Sequence, residues 1–147
     1  MTTMTNEPSL EGMRVGVVGA AGFIGKALSS KLSAAGATVD QYDKAPSNDA
    51  RIIYSIDLDD AGSLEAIKPC HLLINLAAEH RDDLTDVSRY YAVNVEGARR
   101  LCEIAEARKI SSLLFFSSSA VYGDAAGAHQ SAHSASGLSP YGVSKFL

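Results

Sequence analysis

A glycine-rich turn between two apolar segments is the feature that most restricts the fold of this chain. Residues 13–18 (MRVGVV) form a short apolar run, which is typical of a buried parallel strand. Gly19, Gly22 and Gly25 follow at once. Apolar residues then recur at a period near 3.6 through residues 23–35, and Gly36 stands where a helix C-cap is expected. The sequence therefore predicts a strand, a tight turn and a helix, the unit from which α/β sheets are built.

The same alternation of apolar runs and helical segments continues along the chain. Strands are predicted at residues 38–42, 51–56, 71–76 and 112–116, and helices at residues 63–67, 87–107 and from Pro140 onward. Such alternation implies right-handed crossovers and a parallel sheet. We predict an α/β, Rossmann-type doubly wound parallel sheet over residues 13–147, truncated after the fifth strand and the start of the next helix. Residues 1–12 are predicted to be a disordered tail.

The composition argues against several classes of partner and location. The net charge is −4 and no basic stripe occurs, which disfavours nucleic acid as a partner. No apolar stretch reaches the ~20 residues of a transmembrane helix. Residues 1–12 lack the basic start and the apolar segment of a signal peptide. We expect a cytoplasmic protein.

The cysteines and histidines form no pattern that holds a metal. Cys70 and Cys102 stand far apart, so they are interpreted as two core thiols in a reducing cytosol. His129 and His133 are four residues apart, but zinc sites need three or four ligands. The Ala, Ser and Gly residues around them also disfavour a helix. No metal site is predicted.

The glycine spacing is typical of a turn that holds the diphosphate of a dinucleotide. Gly19 permits the tight turn, Gly22 lets the backbone approach the diphosphate, and Gly25 lets the helix pack close to the sheet. Phe23 and Ile24 begin the helix, whose free N–H groups would face the phosphates. Because the pattern lies between a predicted strand and a predicted helix, it favours dinucleotide binding over a glycine-rich turn of another kind.

An acidic residue ends the second predicted strand. Asp43 lies eighteen residues after Gly25, where a carboxylate accepts hydrogen bonds from the adenosine ribose and repels a 2′-phosphate. NAD is therefore predicted as the cofactor, although the adjacent Lys44 leaves NADP open. Asp57 and Leu58 end the third strand, where they would flank the adenine; alternatively, Asp57 is a solvated loop acid.

A tyrosine and a lysine one helical turn apart indicate the chemistry. Tyr141 and Lys145 share one face of the predicted helix. A tyrosine hydroxyl has an ordinary pKa of about 10, and a nearby ammonium and the positive nicotinamide ring stabilise its phenolate. Residues 117–119 are serines directly after the fifth strand, where ligands bind in open α/β sheets. These residues predict an enzyme that oxidises a hydroxyl or reduces a carbonyl.

Taken together, the motifs resemble one family. The chain resembles the N-terminal part of the extended short-chain dehydrogenases/reductases of the NAD-dependent epimerase/dehydratase type. The resemblance is carried by GAAGFIG at residues 19–25, Asp43, Asp57-Leu58, Leu76-Ala77-Ala78, Asn94-Val95-x-Gly97, SSSAVYG at residues 117–123 and PYGVSK at residues 140–145.

The resemblance implies a role for each matching residue. Ser118 takes the catalytic serine position, Tyr141 is the acid/base, and Lys145 holds the cofactor ribose and tunes the tyrosine. The residues that would join the cofactor site after the fourth strand and beyond are Leu76, Ala77, Ala78, Asn94 and Ser117. Asn94 interrupts an apolar helix, so it either fixes backbone near the cofactor, or faces solvent or caps a strand.

Two narrower resemblances concern the reaction. The family's 4,6-dehydratases carry Asp-Glu after the catalytic serine, whereas Ser119-Ala120 stands here and cannot titrate. The implied reaction is therefore 4-epimerisation of a sugar by transient oxidation at C4. Residues 76–83 (LAAEHRDD) and the segment Tyr90-Tyr91-x-Val93-Asn94-Val95 resemble bacterial 4-epimerases of N-acetylglucosamine linked by diphosphate to undecaprenol. The implied substrate is a nucleotide- or polyprenyl-diphosphate-linked sugar. Arg81 could meet its diphosphate; alternatively, residues 79–83 are a solvated charged loop.

Three interpretations stay open at this point. The family's glutamate before PYG is missing from residues 128–133, and its C-terminal substrate domain is absent. The leading interpretation is an incomplete catalytic half that binds NAD weakly and does not turn over sugars alone, with a homodimer expected in the full-length form. The alternatives are an NADP-dependent sugar reductase and a non-catalytic dinucleotide-binding fragment.

Overall fold

Five parallel strands form a single sheet in a computed structural model, which describes residues 9–45, 54–81, 83–123 and 138–147. The strands are β1 (Arg14–Val18), β2 (Thr38–Asp43), β3 (Tyr54–Ser55), β4 (Leu72–Asn75) and β5 (Ser112–Phe115). Their order across the sheet is β3-β2-β1-β4-β5. The chain therefore winds outward from β1 in one direction and then, from β4 onward, in the other. This confirms the predicted doubly wound parallel sheet.

The helices occupy the predicted segments. They are α1 (Phe23–Ala34), α2 (Ser88–Tyr90), a π-helical segment (Tyr91–Glu96), α3 (Gly97–Ala107) and α4 (Pro140–Phe146), together with 3₁₀ turns at Ser63–Ala66 and Ser119–Tyr122. The residues that join α2, the π segment and α3 all have helical backbone angles, so these three run as one continuous helix. The third strand was predicted at residues 51–56, of which residues 51–53 lie outside the described residues. The second 3₁₀ turn was not predicted.

The strand register brings the carboxyl ends of the strands to one edge. Val18 pairs with Tyr42 on one side and with Asn75 on the other. Asn75 in turn pairs with Phe115. Because all five strands are parallel, the segments that follow them meet at this edge, where open α/β sheets bind ligands.

Two hydrophobic clusters stabilise the sheet, one on each face, because successive strand residues point to opposite sides. One cluster includes Tyr42, Leu64, Ile67, Leu73 and Leu101. The other includes Val15, Val17, Ala20, Ala37 and Ile74, with Leu28 and Leu32 of α1 packed against it. Residues outside the strands thus pack on both faces of the sheet, and its carboxyl edge is left open.

Residues 9–12, which precede β1, contact the rest of the fold. The Leu10 N–H donates to the Ala35 carbonyl at 2.8 Å, and the Leu10 side chain packs against the α1 face of the sheet. An apolar side chain of the predicted tail thus packs against the core, and the disordered tail over residues 1–12 stays a prediction. Residues 1–8 lie outside the described residues.

The prediction of two core thiols is wrong for Cys102. Cys102 is exposed and Cys70 is half-buried. Cys102 lies on the side of α3 that borders an open groove with Phe115 and Phe116, and not on the side that contacts the sheet. Periodicity within one helix does not reveal which of its sides other segments leave uncovered.

The described residues include neither a membrane-spanning helix nor a metal-binding cluster. No helix in the described part of the chain is long and apolar enough to cross a bilayer. No three or more His, Cys, Asp or Glu side chains within the described ranges are grouped so that they could hold a metal ion. His129 and His133 lie outside those ranges.

Candidate active site

The glycine turn brings three parts of the backbone into close contact. Gly19 has a positive φ of +83°, and a Cβ atom there would lie 2.7 Å from the Ala77 nitrogen that follows β4. A Cβ atom on Gly25 would lie 2.7 Å from the Ala20 Cα. Only glycine allows both approaches. The turn therefore packs against the end of β4 on one side and admits α1 on the other.

The N-terminus of α1 has the character of an anion site. Gly22 is the N-cap, and no side chain in the described residues caps the helix. The first N–H groups of a helix lack intrahelical acceptors and carry partial positive charge. The Phe23 side chain is 93% exposed and that of Ile24 52%, so these two residues can contribute backbone N–H groups rather than side chains.

Asp43 is held at the cleft by the backbone on both sides of it. Its Oδ2 accepts a hydrogen bond from the Ala21 N–H at 2.8 Å, and its Oδ1 accepts one from the Ala45 N–H at 2.9 Å. The adjacent Lys44 extends its ammonium to 3.8 Å from Asp57 Oδ2. The carboxylate therefore lies beside the glycine turn, and the neighbouring ammonium is directed to another acid.

A cleft of about 650 Å³ opens at the carboxyl edge of the sheet. It gathers eight of the predicted cofactor residues, namely Gly19, Gly22, Asp43, Asp57, Leu58, Leu76, Ala77 and Ala78. The predicted residues that do not line it are Phe23, Ile24, Gly25, Asn94, Ser117, Ser118, Tyr141 and Lys145. Ser117 and Lys145 border the separate groove beside β5.

Asn94 links the cleft wall to the last helix. Its Oδ1 accepts from the Glu79 N–H at 2.8 Å, and its Nδ2 donates to the Glu79 carbonyl at 2.9 Å. The same Nδ2 group donates to Ser144 Oγ at 2.9 Å. Asn94 lies in the π-helical segment, a kind of distortion often found at functional sites. Of the interpretations offered above, its contacts agree with the first, because Asn94 fixes the backbone beside the cleft.

The serine that follows β5 and the helix that carries Tyr141 are packed together. Ser118 is the N-cap of the 3₁₀ turn, and its Oγ accepts from the Ala120 N–H at 3.2 Å. A Cβ atom on Gly142 would lie 2.6 Å from the Ala120 carbonyl oxygen. The glycine therefore permits α4 to rest directly on the turn that Ser118 begins.

The start of α4 is specified by local signals. The Ser139 Oγ accepts from the Gly142 N–H at 3.1 Å, and Pro140 occupies the first helical turn, as capping preferences predict. Tyr141 is half-buried, with its ring centroid 6.1 Å from that of Tyr90. Burial lowers the pKa of the half-buried Lys145.

Comparison with known proteins identifies the family. A family model described as "NAD dependent epimerase/dehydratase family" matches residues 15–147. The chain belongs to this family. Its match extends over the cleft, the turn after β5 and α4, so the resemblance inferred from the motifs is confirmed.

Relatives in the epimerase/dehydratase family include two curated 4-epimerases. The chain is 37% identical over 109 residues to the N-acetyl-alpha-D-glucosaminyl-diphospho-ditrans,octacis-undecaprenol 4-epimerase of Escherichia coli O157:H7, a match that covers 73% of this chain and 33% of that protein. It is 32% identical over 141 residues to the dTDP-L-rhamnose 4-epimerase of Burkholderia thailandensis, a match that covers 82% of this chain and 39% of that protein. The chain thus spans between a third and two fifths of these relatives.

Solved structures with the same fold also belong to longer chains. A short-chain dehydrogenase/reductase superfamily protein from Agrobacterium tumefaciens with bound NAD superposes with a TM-score of 0.80 at 32% identity, over 91% of this chain and 42% of that one. A UDP-galactose 4-epimerase superposes with a TM-score of 0.74 at 28% identity, over 91% of this chain and 48% of that one. These likenesses agree with the Rossmann-type sheet described above.

Sequence reasoning missed Arg89, which lines the cleft beside Arg81. Arg89 belongs to α2, and it reaches the cleft because the chain folds back after β4. Helical periodicity carries no signal of that return. Ser144 was read as part of a motif only, although it supplies the contact between α4 and Asn94.

Proposed function

We propose that this chain is the NAD-binding, catalytic part of a sugar 4-epimerase. The observation that carries the proposal is the close approach of Gly142 to Ala120. It joins the helix of Tyr141 and Lys145 to the turn that Ser118 begins, at the sheet edge that also holds the glycine turn and Asp43. Binding and catalytic groups therefore share one edge.

The residues of the cleft fit NAD. The glycine turn and the uncapped start of α1 suit a diphosphate. Asp43 presents a carboxylate to ribose hydroxyls, and a 2′-phosphate in the same place would meet its negative charge. The contact between Lys44 and Asp57 supports NAD over NADP, because it directs the nearest cation away from that position.

The proposed reaction divides the work among three side chains. NAD, when bound, accepts a hydride from the sugar and later returns it. Tyr141 removes the proton of the C4 hydroxyl and gives it back once the sugar has presented its other face. The Ser118 Oγ accepts from the Ala120 N–H, so its own O–H can donate to the reacting oxygen. The family resemblance assigns Lys145 to the cofactor ribose, one helical turn after Tyr141 on α4.

A diphosphate-linked sugar is the proposed substrate class. The names of both curated relatives describe 4-epimerases of such sugars, one linked to undecaprenol and one to dTDP. Elimination of water is disfavoured because Ser119 and Ala120 offer neither an acid nor a base after Ser118. The carrier, nucleotide or polyprenol, is part of the proposal and not of the family assignment.

The test has two arms. NAD binding is measured by calorimetry on the 147-residue chain, and turnover of UDP-N-acetylglucosamine is measured by NMR on the protein as its gene encodes it. We expect binding in the first arm and interconversion of the C4 epimers in the second. Conversion of the same sugar to a 4-keto-6-deoxy product would contradict the proposal and indicate a dehydratase. A requirement for NADPH would contradict it and indicate a reductase.

A further inference from the structure

Two arginines and one glutamate form an ionic cluster on the β4 side of the cleft. Glu79 Oε1 accepts a hydrogen bond from Arg81 Nε at 3.3 Å, and Glu79 Oε2 lies 3.8 Å from Arg89 Nε. The Glu79 side chain is 10% exposed, whereas those of Arg81 and Arg89 are 59% and 38% exposed. The carboxylate is thus the least exposed member of the cluster, and both arginines line the cleft.

The backbone that carries the cluster is fixed. Asn94 binds both the N–H and the carbonyl of Glu79. Tyr90 donates its hydroxyl to the Arg81 carbonyl at 2.6 Å. A solvated charged loop would not need three such contacts. The arginines are therefore held near one position relative to the glycine turn across the cleft.

The cluster carries a net positive charge at neutral pH. Burial alone would raise the pKa of Glu79, but hydrogen bonds from the Arg81 side chain and from the backbone lower it by more, so the pKa lies below its ordinary value. One carboxylate thus faces two guanidinium groups. Each guanidinium has five N–H donors, and in both cases Nε is the nitrogen that contacts Glu79.

The opposite side of the cleft has the opposite charge. Among the described residues, Asp43 and Asp57 line this side together with one cation, Lys44, which is directed to Asp57. A dinucleotide has ribose hydroxyls that donate to carboxylates and a diphosphate that accepts from cations. The charge separation across the cleft therefore matches a ligand whose ribose meets Asp43 and whose diphosphate lies between the glycine turn and the arginines.

We infer that Arg81 and Arg89, oriented by Glu79, form a two-arginine clamp for a diphosphate in the cleft. The inference rests on the proposed function, since it assumes that the cleft takes diphosphate ligands. A guanidinium group can bind two phosphate oxygens at once, whereas the ammonium of lysine acts as a point charge. The diphosphate belongs either to the cofactor or to the sugar substrate, and the two sources are separable by experiment.

The experiment compares ligands with and without a diphosphate. Dissociation constants of ADP-ribose and adenosine are measured by calorimetry for the wild-type chain and for the Arg81→Gln/Arg89→Gln double variant. UDP-N-acetylglucosamine is measured with NAD present. We expect the double variant to bind ADP-ribose or the UDP-sugar at least about tenfold more weakly than the wild type. The dependence of log Kd on log salt concentration should also be shallower. The affinity for adenosine should be unchanged.

The matched control is Arg99→Gln. Arg99 pairs with Glu96 of the π-helical segment and with Glu103 of α3, and it does not line the cleft. All affinities of this variant should therefore match the wild type. Circular dichroism and thermal melting check folding, and each single variant is tested by the same criterion if the double variant is unfolded. A selective loss for ADP-ribose assigns the clamp to the cofactor, and a selective loss for the UDP-sugar assigns it to the substrate.

Unchanged affinity for both diphosphate ligands in the variants would overturn the clamp, as would a wild-type chain that binds neither ligand. The clamp and the proposed function can fail separately. If ADP-ribose binding depends on the arginines but the gene-encoded protein does not epimerise the sugar, the clamp is supported and the proposed epimerase function is contradicted. If the protein epimerises the sugar but its affinities for ADP-ribose and the UDP-sugar do not depend on the arginines, the function is supported and the clamp is contradicted.

Discussion

At the scale of single residues, Asp43 is the clearest test of the cofactor site. Replacing it by Asn keeps the size and one acceptor for the Ala21 and Ala45 N–H groups but removes the charge. Hydrogen bonds to charged groups contribute about 1.5–3 kcal/mol, so we expect NAD affinity to fall by about tenfold or more. The loss for NADP should be smaller, because repulsion of the 2′-phosphate is relieved.

Calorimetry with both cofactors measures this change. Glu103→Gln is the control, because Glu103 is an exposed carboxylate on α3 that pairs with Arg99. Equal NAD affinity in Asp43→Asn and the wild type would contradict the ribose assignment.

Tyr141 is the residue on which turnover should depend. Phe at this position keeps the ring beside Tyr90 and removes the group that transfers the proton. General acid–base groups contribute about 10²–10⁴-fold in rate, so turnover by the gene-encoded protein should fall by that order while NAD still binds. Tyr91→Phe, an exposed tyrosine of the π segment, should keep its rate. An active Tyr141→Phe variant would remove Tyr141 as the acid/base.

Lys145 should give the stability of the chain a recognisable pH dependence. Burial lowers its pKa in the folded state below the ordinary 10.5, so between those two values the unfolded chain binds more protons. Stability due to this group therefore rises as pH increases through that interval and is lowest below it. We expect Lys145→Met to be more stable than the wild type near neutral pH, with the difference shrinking toward pH 10.5.

Urea unfolding of both proteins at a series of pH values measures this difference. Lys31→Met is a suitable control, because Lys31 lies on the exposed side of α1. A stability difference between wild type and Lys145→Met that stays constant with pH would contradict the burial of the ammonium.

At the scale of elements, the packing of α4 depends on Gly142. A methyl group there would meet the Ala120 carbonyl oxygen at 2.6 Å, and a backbone atom cannot move aside as a side chain can. We expect Gly142→Ala to shift α4, to lower stability by roughly 1–3 kcal/mol and to reduce turnover while NAD affinity is kept. The control is Gly62→Ala, whose Cβ would lie at an ordinary 3.4 Å from Asp60 Oδ1.

Unfolding curves and cofactor titrations on the two glycine variants separate these effects. If Gly142→Ala retains both stability and rate, the close contact between α4 and the 3₁₀ turn is not needed for catalysis.

The elements that the sequence predicted are those with local signals. The unit of β1, the glycine turn and α1 was predicted because an apolar run, three glycines and a helical period lie within one short segment. The 3₁₀ turn at Ser119–Tyr122 was missed, because it depends on packing against α4. The exposure of Cys102 and the position of Arg89 in the cleft were missed for the same reason, since both depend on contacts between segments distant in the chain.

At the scale of the whole molecule, one edge of the sheet is apolar and open. Among the described strands, β5 pairs only with β4, and Leu114, Phe115 and Phe116 are each at least 40% exposed. Unpaired strand edges promote association between chains. We expect the 147-residue chain to self-associate as its concentration rises, and Leu114→Lys to reduce this by placing a charge at the edge.

Light scattering over a concentration series measures the association. Val87→Lys is the control, because Val87 has a similar exposure of 47% and does not border the groove that contains Phe115 and Phe116. Equal association of the wild type and Leu114→Lys would mean that β5 is not the surface involved.

The bridge that Asn94 makes between Glu79 and Ser144 has a thermodynamic consequence. One amide side chain contacts both the wall of the cleft and the helix of Tyr141 and Lys145. If a ligand in the cleft favours the arrangement in which that bridge is made, then packing of α4 must raise the affinity for the ligand by the same factor. The coupling is reciprocal, so an empty cleft and a loosely packed α4 would be two aspects of one equilibrium.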